Sequence, residues 1–230
     1  MVSQLLTALL VTGAFAALAY SLGMISRSGA LGGLLVGTAI YASLGPRGFA
    51  ILALFVVGGS LLTRLGCDSK QRTGTAQEHG GRRGARNALA NCAVATFCAI
   101  LAATGSESFT AAFVASLGAA FADTAESEMG QLFSRRPRLI STLQRVPPGT
   151  DGAVSFPGTL AGAGAAVLAA LLGLSLGMLQ TPAAVLLVAI AAFLGTVADS
   201  LIGALSPRVG NELTNVLCTL VAALLALILV

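Results

Sequence analysis

The sequence predicts an all-α, polytopic membrane protein: a single integral-membrane domain over residues 1–230, built as a bundle of about eight transmembrane helices (seven to eight). Three observations carry this. Apolar runs recur along the chain at the length of about 20 residues that a bilayer core requires. Only 10% of residues are charged while 56% are hydrophobic, where a soluble domain carries about 25% charged residues. Twelve of the thirteen Lys and Arg side chains fall in alternate loops, the asymmetry of a chain threaded through a membrane.

Eight runs qualify as spans: 3–23, 29–45, 47–64, 85–104, 108–131, 155–178, 182–204 and 212–230. The first has no Lys or Arg before Arg27. It therefore lacks the basic n-region of a signal peptide and reads as a spanning helix. The second is short and Gly-rich, so a tilted or broken helix is expected there. Gly45-Pro46-Arg47-Gly48 is a turn signal between the second and third, and Pro182 suits a helix start. The chain holds 28 glycines, a residue that lets membrane helices approach closely.

Two longer polar stretches remain, about 65–84 and 134–154. Arg27, Arg64, Lys70, Arg72, Arg82, Arg83 and Arg86 lie in the first and third loops and their flanks. Arg135, Arg136, Arg138, Arg145 and Arg208 lie in the fifth and seventh. Only Arg47 is on the opposite side. The basic side is expected to be cytoplasmic, which places both termini outside.

Composition also excludes classes of function. The net charge of +4 is small, and no basic stretch is interleaved with aromatic residues as a base-stacking surface would be. No nucleic-acid partner is expected. Cys67, Cys92, Cys98 and Cys218 form no CxxC pair, so neither a disulfide framework nor a zinc site is expected. The single histidine, His79, excludes a His-based triad or a His-ligated metal and reads as a solvated loop residue.

The informative residues are polar ones inside or beside the spans. Asp123, Glu126 and Glu128 lie in FADTAESEMG, and Asp199 in VADSLIG. A carboxylate deep in a membrane helix costs roughly 2.5–3.5 kcal/mol on insertion scales. Each therefore calls for a cation, a metal, water or a buried salt bridge. Glu126 and Glu128 fall on different helix faces, which leaves one of them free to meet solvent. The topology brings Asn87, Asn91, Asn211, Glu212 and Asn215 to the same side. Asn87/Asn91, Asn211/Asn215 and Asp123/Ser127 are i,i+4 pairs, each sharing one helix face. The amides serve equally as interhelical glue.

Two glycine-rich turns complete the pattern. GGRRGARN, residues 80–87, carries Arg82, Arg83 and Gly84 into the start of a span. PPGTDGAVSFPG, residues 147–158, carries Gly149, Thr150, Asp151, Gly152 and Ser155 into another. Backbone N–H groups at a helix start with Arg alongside suit phosphate; the plainer reading of the first turn is a topogenic basic cluster. Neither is a Walker motif. Acids that hold Mg²⁺, facing turns and arginines that hold phosphates, are the parts of a phosphoryl-transfer site.

These motifs resemble those of the membrane family that contains plant phytyl-phosphate kinase. GRRGARNALAN, ADTAESEMG, PPGTDGAVS, ADSLIGA and NELTN are similar to its signatures from about residue 24 to the C-terminus. Gly84, Asn91, Asp123, Ser127, Glu128, Gly130, Gly149, Thr150, Gly152, Ser155, Asp199 and Asn215 match. Asn87 stands in place of Gln, Ala125-Glu126 in place of Trp-Ala, Asp151 in place of Asn, and Ala153 in place of Gly. The resemblance implies a kinase converting an isoprenoid monophosphate to its diphosphate with a nucleoside triphosphate, CTP favoured. It implies Mg²⁺ on Asp123, Glu128 and Asp199, and phosphate contacts from the two turns and the Asn residues. Such an enzyme binds membrane lipids and acts at the cytoplasmic face. The oligomeric state stays open.

Two other classes share these features. A transporter would use intramembrane carboxylates as ion sites, although the acids here cluster near one face rather than at the midplane. A lipid-phosphate cytidylyltransferase would need nearly the same groups.

Overall fold

A computed structural model describes residues 2–66, 81–206 and 208–230. Lys70, Arg72 and His79, and most of the expected loop 65–84, lie outside the described residues. The order is α1 (Val2–Ser21), α2 (Arg27–Arg64), α3 (Ala85–Ala102), α4 (Glu107–Phe133), β1 (Arg138–Leu139), β2 (Ala153–Val154), α5 (Phe156–Ser175), α6 (Pro182–Leu205) and α7 (Asn211–Leu229). All seven helices are long and apolar enough to cross a membrane. Their outer surface is apolar, with Leu10, Leu35, Phe97, Leu168, Leu186 and Ile228 exposed. Such a surface suits hydrocarbon, where each helix satisfies its own backbone.

The count of seven conceals an eighth crossing. α2 has 38 residues; as a straight rod it would be about 57 Å long, nearly twice a hydrocarbon core of about 30 Å. Gly45 breaks it with φ 63° and ψ −155°, a region open essentially to glycine alone. Pro46 then opens the second arm, where its missing N–H costs nothing. The chain reverses there. Gly37 sits 3.4 Å from the Phe49 ring, measured from an ideal Cβ, although twelve residues along one helix would separate them by about 18 Å. The first arm is regular up to this point, so the tilt or break expected within 29–45 is confined to its last residue. Arms 27–44 and 46–64 are the second and third predicted spans. α1 packs on both: Thr12 and Thr38 hydroxyls lie 2.9 Å apart, and the Phe15 and Phe49 rings meet edge to face at 5.2 Å.

α4 is the central helix, and Ala111 through Ala122 are all buried. Small residues set its contacts. Gly118 faces Ala169 of α5 and Ala192 of α6, and a Cβ at Gly158 would come within 2.6 Å of the Glu126 carbonyl oxygen. Ser26, Ser106, Ser155 and Thr181 cap α2, α4, α5 and α6, each accepting the N–H three residues on, the usual role of such residues at a helix start. Among the described residues, one connection forms a small sheet. In stretch 134–154, β1 and β2 pair antiparallel, Arg138 with Val154 and Leu139 with Ala153. Strands two residues long leave no alternation to detect, which is why the sequence read this stretch only as a loop.

Candidate functional site

Alternate crossings deliver their ends to the basic side of the bundle. There α3, α4, α6 and α7 surround a cavity of about 700 Å³. Every phosphate-site and metal-site candidate named from the sequence lines it, from Arg82 through Asn215. So do Glu126, Glu212, Thr63, Arg86, Thr124, Gln131 and Ser200. Of these, Thr63, Thr124, Gln131 and Ser200 escaped the sequence reading, because a single hydroxyl or amide near a helix end carries no pattern.

α4 divides its polar residues between two stripes. Thr124 and Glu128, four residues apart, form one. Arg83 donates from Nη2 to the Thr124 hydroxyl at 3.3 Å, and its guanidinium carbon lies 4.7 Å above the Phe55 ring. Gly59 leaves the room: any Cβ there would collide with the Arg83 guanidinium. Burial pulls the Arg83 guanidinium below its ordinary value, while the negative charges of Glu128 and Asp123 hold it up. The Arg83 backbone is fixed as well. Its carbonyl accepts from Ser26 N–H at 3.0 Å and its N–H donates to the Met24 carbonyl at 3.2 Å. Arg83 is thus a wedge seated against α2 and α4 at the cavity wall, whereas Arg82 and Arg86 are exposed.

Asp123 and Glu126 form the other stripe, toward α5 and α6. Glu126 accepts from the Thr159 hydroxyl at 3.1 Å and is half-buried. Glu128 is only 2% exposed. The different faces expected for the two glutamates are therefore observed, but neither faces open solvent; both look into the bundle. Asn91 and Asn215 are buried, and Asn91 Nδ2 donates to the Asn87 carbonyl at 3.0 Å.

The second glycine-rich turn is pinned to α6. A Cβ at Gly152 would collide with the backbone of Ala204 and Ser200, and φ is 73°, so glycine is required twice over. Thr150 closes the turn by donating to the Pro147 carbonyl at 2.8 Å. The Ile140 N–H donates to the Gly152 carbonyl at 3.0 Å. The turn thereby stands directly beside Asp199 at the end of α6.

Three buried atoms around this cavity have no hydrogen-bond partner among the described residues: Asn87 Oδ1, Gln131 Oε1 and Asp199 Oδ1. All three residues line the cavity. Buried polar atoms are nearly always satisfied, so three orphans around one space mark a place for a ligand. A side-chain amide turns either its N–H or its oxygen to that ligand. An ionised Asp199 offers only an acceptor, which suits a cation. Among the described residues no group of three His, Cys, Asp or Glu is arranged to hold a metal ion. Asp123, Glu128 and Asp199 therefore do not make a closed three-carboxylate cage, and Glu128 lies on the Arg83 stripe. Mg²⁺ is commonly bound by one or two carboxylates together with waters and substrate phosphates. The Asp123 and Asp199 pair fits that open kind of site.

A family profile described as "Integral membrane protein DUF92" matches residues 10–223. An uncharacterised membrane protein of Synechocystis is 36% identical over 200 residues, covering 84% of this chain and 77% of the relative. Protein VTE6, chloroplastic, of Arabidopsis thaliana is 34% identical over 186 residues, covering 78% of this chain but 56% of the relative. An uncharacterised membrane protein of Methanocaldococcus jannaschii is 33% identical over 209 residues, covering 89% of this chain and 85% of the relative. No solved structure matches.

Proposed function

The chain belongs to the integral membrane protein family DUF92, and on that premise we propose that this multi-pass membrane protein phosphorylates an isoprenoid monophosphate to its diphosphate, using a nucleoside triphosphate at the cytoplasmic face. The observation that carries the reading is the cavity itself. About 700 Å³ is ample for a nucleotide, since ligand sites span ~300–1,000 Å³. It combines acids, arginines and a glycine-rich turn at one end of a membrane bundle. The resemblance to the family containing plant phytyl-phosphate kinase supplies the acceptor class, and CTP is the favoured donor.

The chemistry suits the residues present. An oxygen of the lipid monophosphate attacks the γ-phosphorus of the donor. That P–O bond forms as the bond to the β-phosphate oxygen breaks, and a nucleoside diphosphate leaves. The acceptor is already anionic, so no strong general base is needed, and a single histidine is no obstacle. What remains is positioning and charge neutralisation. Asp123 and Asp199 would hold Mg²⁺, and that ion would supply the charge neutralisation the donor phosphates need. The turn at Gly149–Gly152 and the Asn residues of α3 and α7 orient the phosphates, and Arg82 and Arg86 draw anions to the mouth. The arginines at this end of the bundle favour the cytoplasm. Arg47 sits at the other end, near Gly177.

Product analysis tests the reading. Purified protein is incubated with CTP and geranylgeranyl or phytyl monophosphate. Release of CDP with formation of the prenyl diphosphate supports the kinase. Pyrophosphate release would identify cytidylyl transfer instead, and the absence of both products would favour a transporter.

A further inference from the structure

A second cavity, small and apolar, lies between α1, the two arms of α2, and α3. Phe15, Ile25, Val36, Leu52, Phe55 and Cys92 are among its lining residues. Its volume is about 50 Å³. One water needs ~10–15 Å³ by the same measure, so the space suits a few carbon-sized groups, about one isoprene unit. Arg83 and Asn87 line this crevice and the large polar cavity alike. The two spaces therefore adjoin at one cation and one amide. An occupant that crosses the junction must be amphipathic, with an anion on the polar side and hydrocarbon on the other.

Resting on the kinase reading above, we propose that this crevice seats the phosphate-proximal isoprene unit of the acceptor lipid, with its phosphate at the Arg83 and Asn87 junction. Asn87 Oδ1, buried without a partner among the described residues, belongs to this junction. The donor nucleotide is then left to the opposite wall, beside Asp199 and the Gly149–Gly152 turn. Asp123 lines the same cavity as both groups. A methyl-branched chain next to its phosphate is distinguished from an unbranched acyl lipid by the shape of such a narrow slot.

Gly33 provides the test, because it lines the crevice and a Cβ there meets nothing within 4 Å. A side chain added at Gly33 grows from the crevice wall with its Cβ clear of neighbouring atoms. The probe is a geranylgeranyl monophosphate carrying a diazirine on its first isoprene unit, photolysed with the full-length protein and mapped by mass spectrometry. The label is expected on α1, α2 or α3 residues of the crevice. It should fall stepwise through Gly33→Ala, Gly33→Val and Gly33→Leu, by about tenfold in the last. Gly164→Leu, which also adds a side chain into open space but on α5, should leave labelling unchanged. Unlabelled prenyl monophosphate should compete, and phosphatidate should not. Labelling confined to α5–α7, labelling unchanged in Gly33→Leu, or equal competition by phosphatidate would overturn the proposal. Nucleotide turnover is read separately. Crevice labelling without CDP release supports this site while refuting the kinase. CDP release with labelling elsewhere refutes this site alone.

Discussion

Gly195 of α6 packs directly against Ala119 of α4: an ideal Cβ at Gly195 lies 3.2 Å from the Ala119 Cβ and 2.6 Å from the carbonyl oxygen of Cys218 on α7. Both helices run toward the site. Asp123 is four residues beyond Ala119, and Asp199 four residues beyond Gly195. One helical turn past the contact, each helix therefore presents its aspartate at the same level, about 6 Å further along. A contact between two small residues sets the register of the two acids. Gly195→Val must move a backbone carbonyl, and overpacking of this kind costs about 1–3 kcal/mol. The expected result is a melting temperature lowered by roughly 2–4 °C for each kcal/mol, with loss of CDP release beyond what the lost folded fraction explains. Wild-type melting and wild-type turnover together would show that this contact does not hold the register.

Arg82 and Arg83 are neighbours with different expected behaviour. Arg83 is seated between Phe55 and Thr124, so Arg83→Ala should destabilise the protein as well as raise KM for the lipid phosphate. Loss of a hydrogen bond from a charged group costs about 1.5–3 kcal/mol, and the lost ring contact adds to that. Arg82 is exposed, and Arg82→Ala should leave melting unchanged while raising KM for the nucleotide or the lipid phosphate several-fold. Thr124→Val should reproduce part of the Arg83→Ala defect. Equal melting and equal kinetics in both arginine variants would reduce the pair to a topogenic role.

The sequence reveals the large features because the bilayer imposes them. Span lengths follow from hydrocarbon thickness, and twelve cations on one side follow from insertion. Asp123 and Asp199 stand out because a carboxylate in an apolar helix is costly. Even the reversal at Gly45-Pro46 is legible, since glycine and proline act through local backbone geometry. Other features depend on which helix faces which. Arg83 meets the Thr124 and Glu128 stripe of α4, and Thr159 the Glu126 stripe, only because of how the turn before α3 and the helix α5 pack there. Gln131 and Thr124 carry no signal of their own. The apolar crevice is built from ordinary Phe, Ile, Val and Leu, residues indistinguishable in sequence from any core.

Sidedness decides whether the cavity can reach nucleotides. Thr104, between α3 and α4, and Thr142, between β1 and β2, are both exposed and lie at opposite ends of the bundle. In a background with Cys67, Cys92, Cys98 and Cys218 replaced by alanine, a membrane-impermeant thiol reagent applied to intact cells should label Thr104→Cys. It should spare Thr142→Cys until the cells are opened. The reverse pattern would put the cavity outside the cell and remove the nucleotide from the reading.

Metal dependence tests the chemistry most directly. Asp199 carries a buried oxygen with no hydrogen-bond partner among the described residues, and Asp123 lines the same space one parallel helix away. Two carboxylates side by side in a membrane bundle repel unless a cation lies between them or a proton neutralises one. Asp123→Asn and Asp199→Asn keep size and hydrogen-bonding capacity while removing the charge. Both variants should insert, run as single species and melt at or above the wild-type temperature, because each relieves the repulsion. Both should also lose activity. Altering even a supporting partner of a metal ligand costs ~10–100-fold in affinity or activity, so removal of a direct ligand should cost on the order of 10²-fold or more. Wild-type CDP release should vanish on chelation and return with Mg²⁺, and the midpoint of that titration should rise in each variant. Glu128→Gln separates the two stripes of α4. Facing Arg83, it should lower the melting temperature while leaving the Mg²⁺ midpoint near that of the wild type. Metal-independent turnover, or full activity in Asp123→Asn, would remove Mg²⁺ from the mechanism.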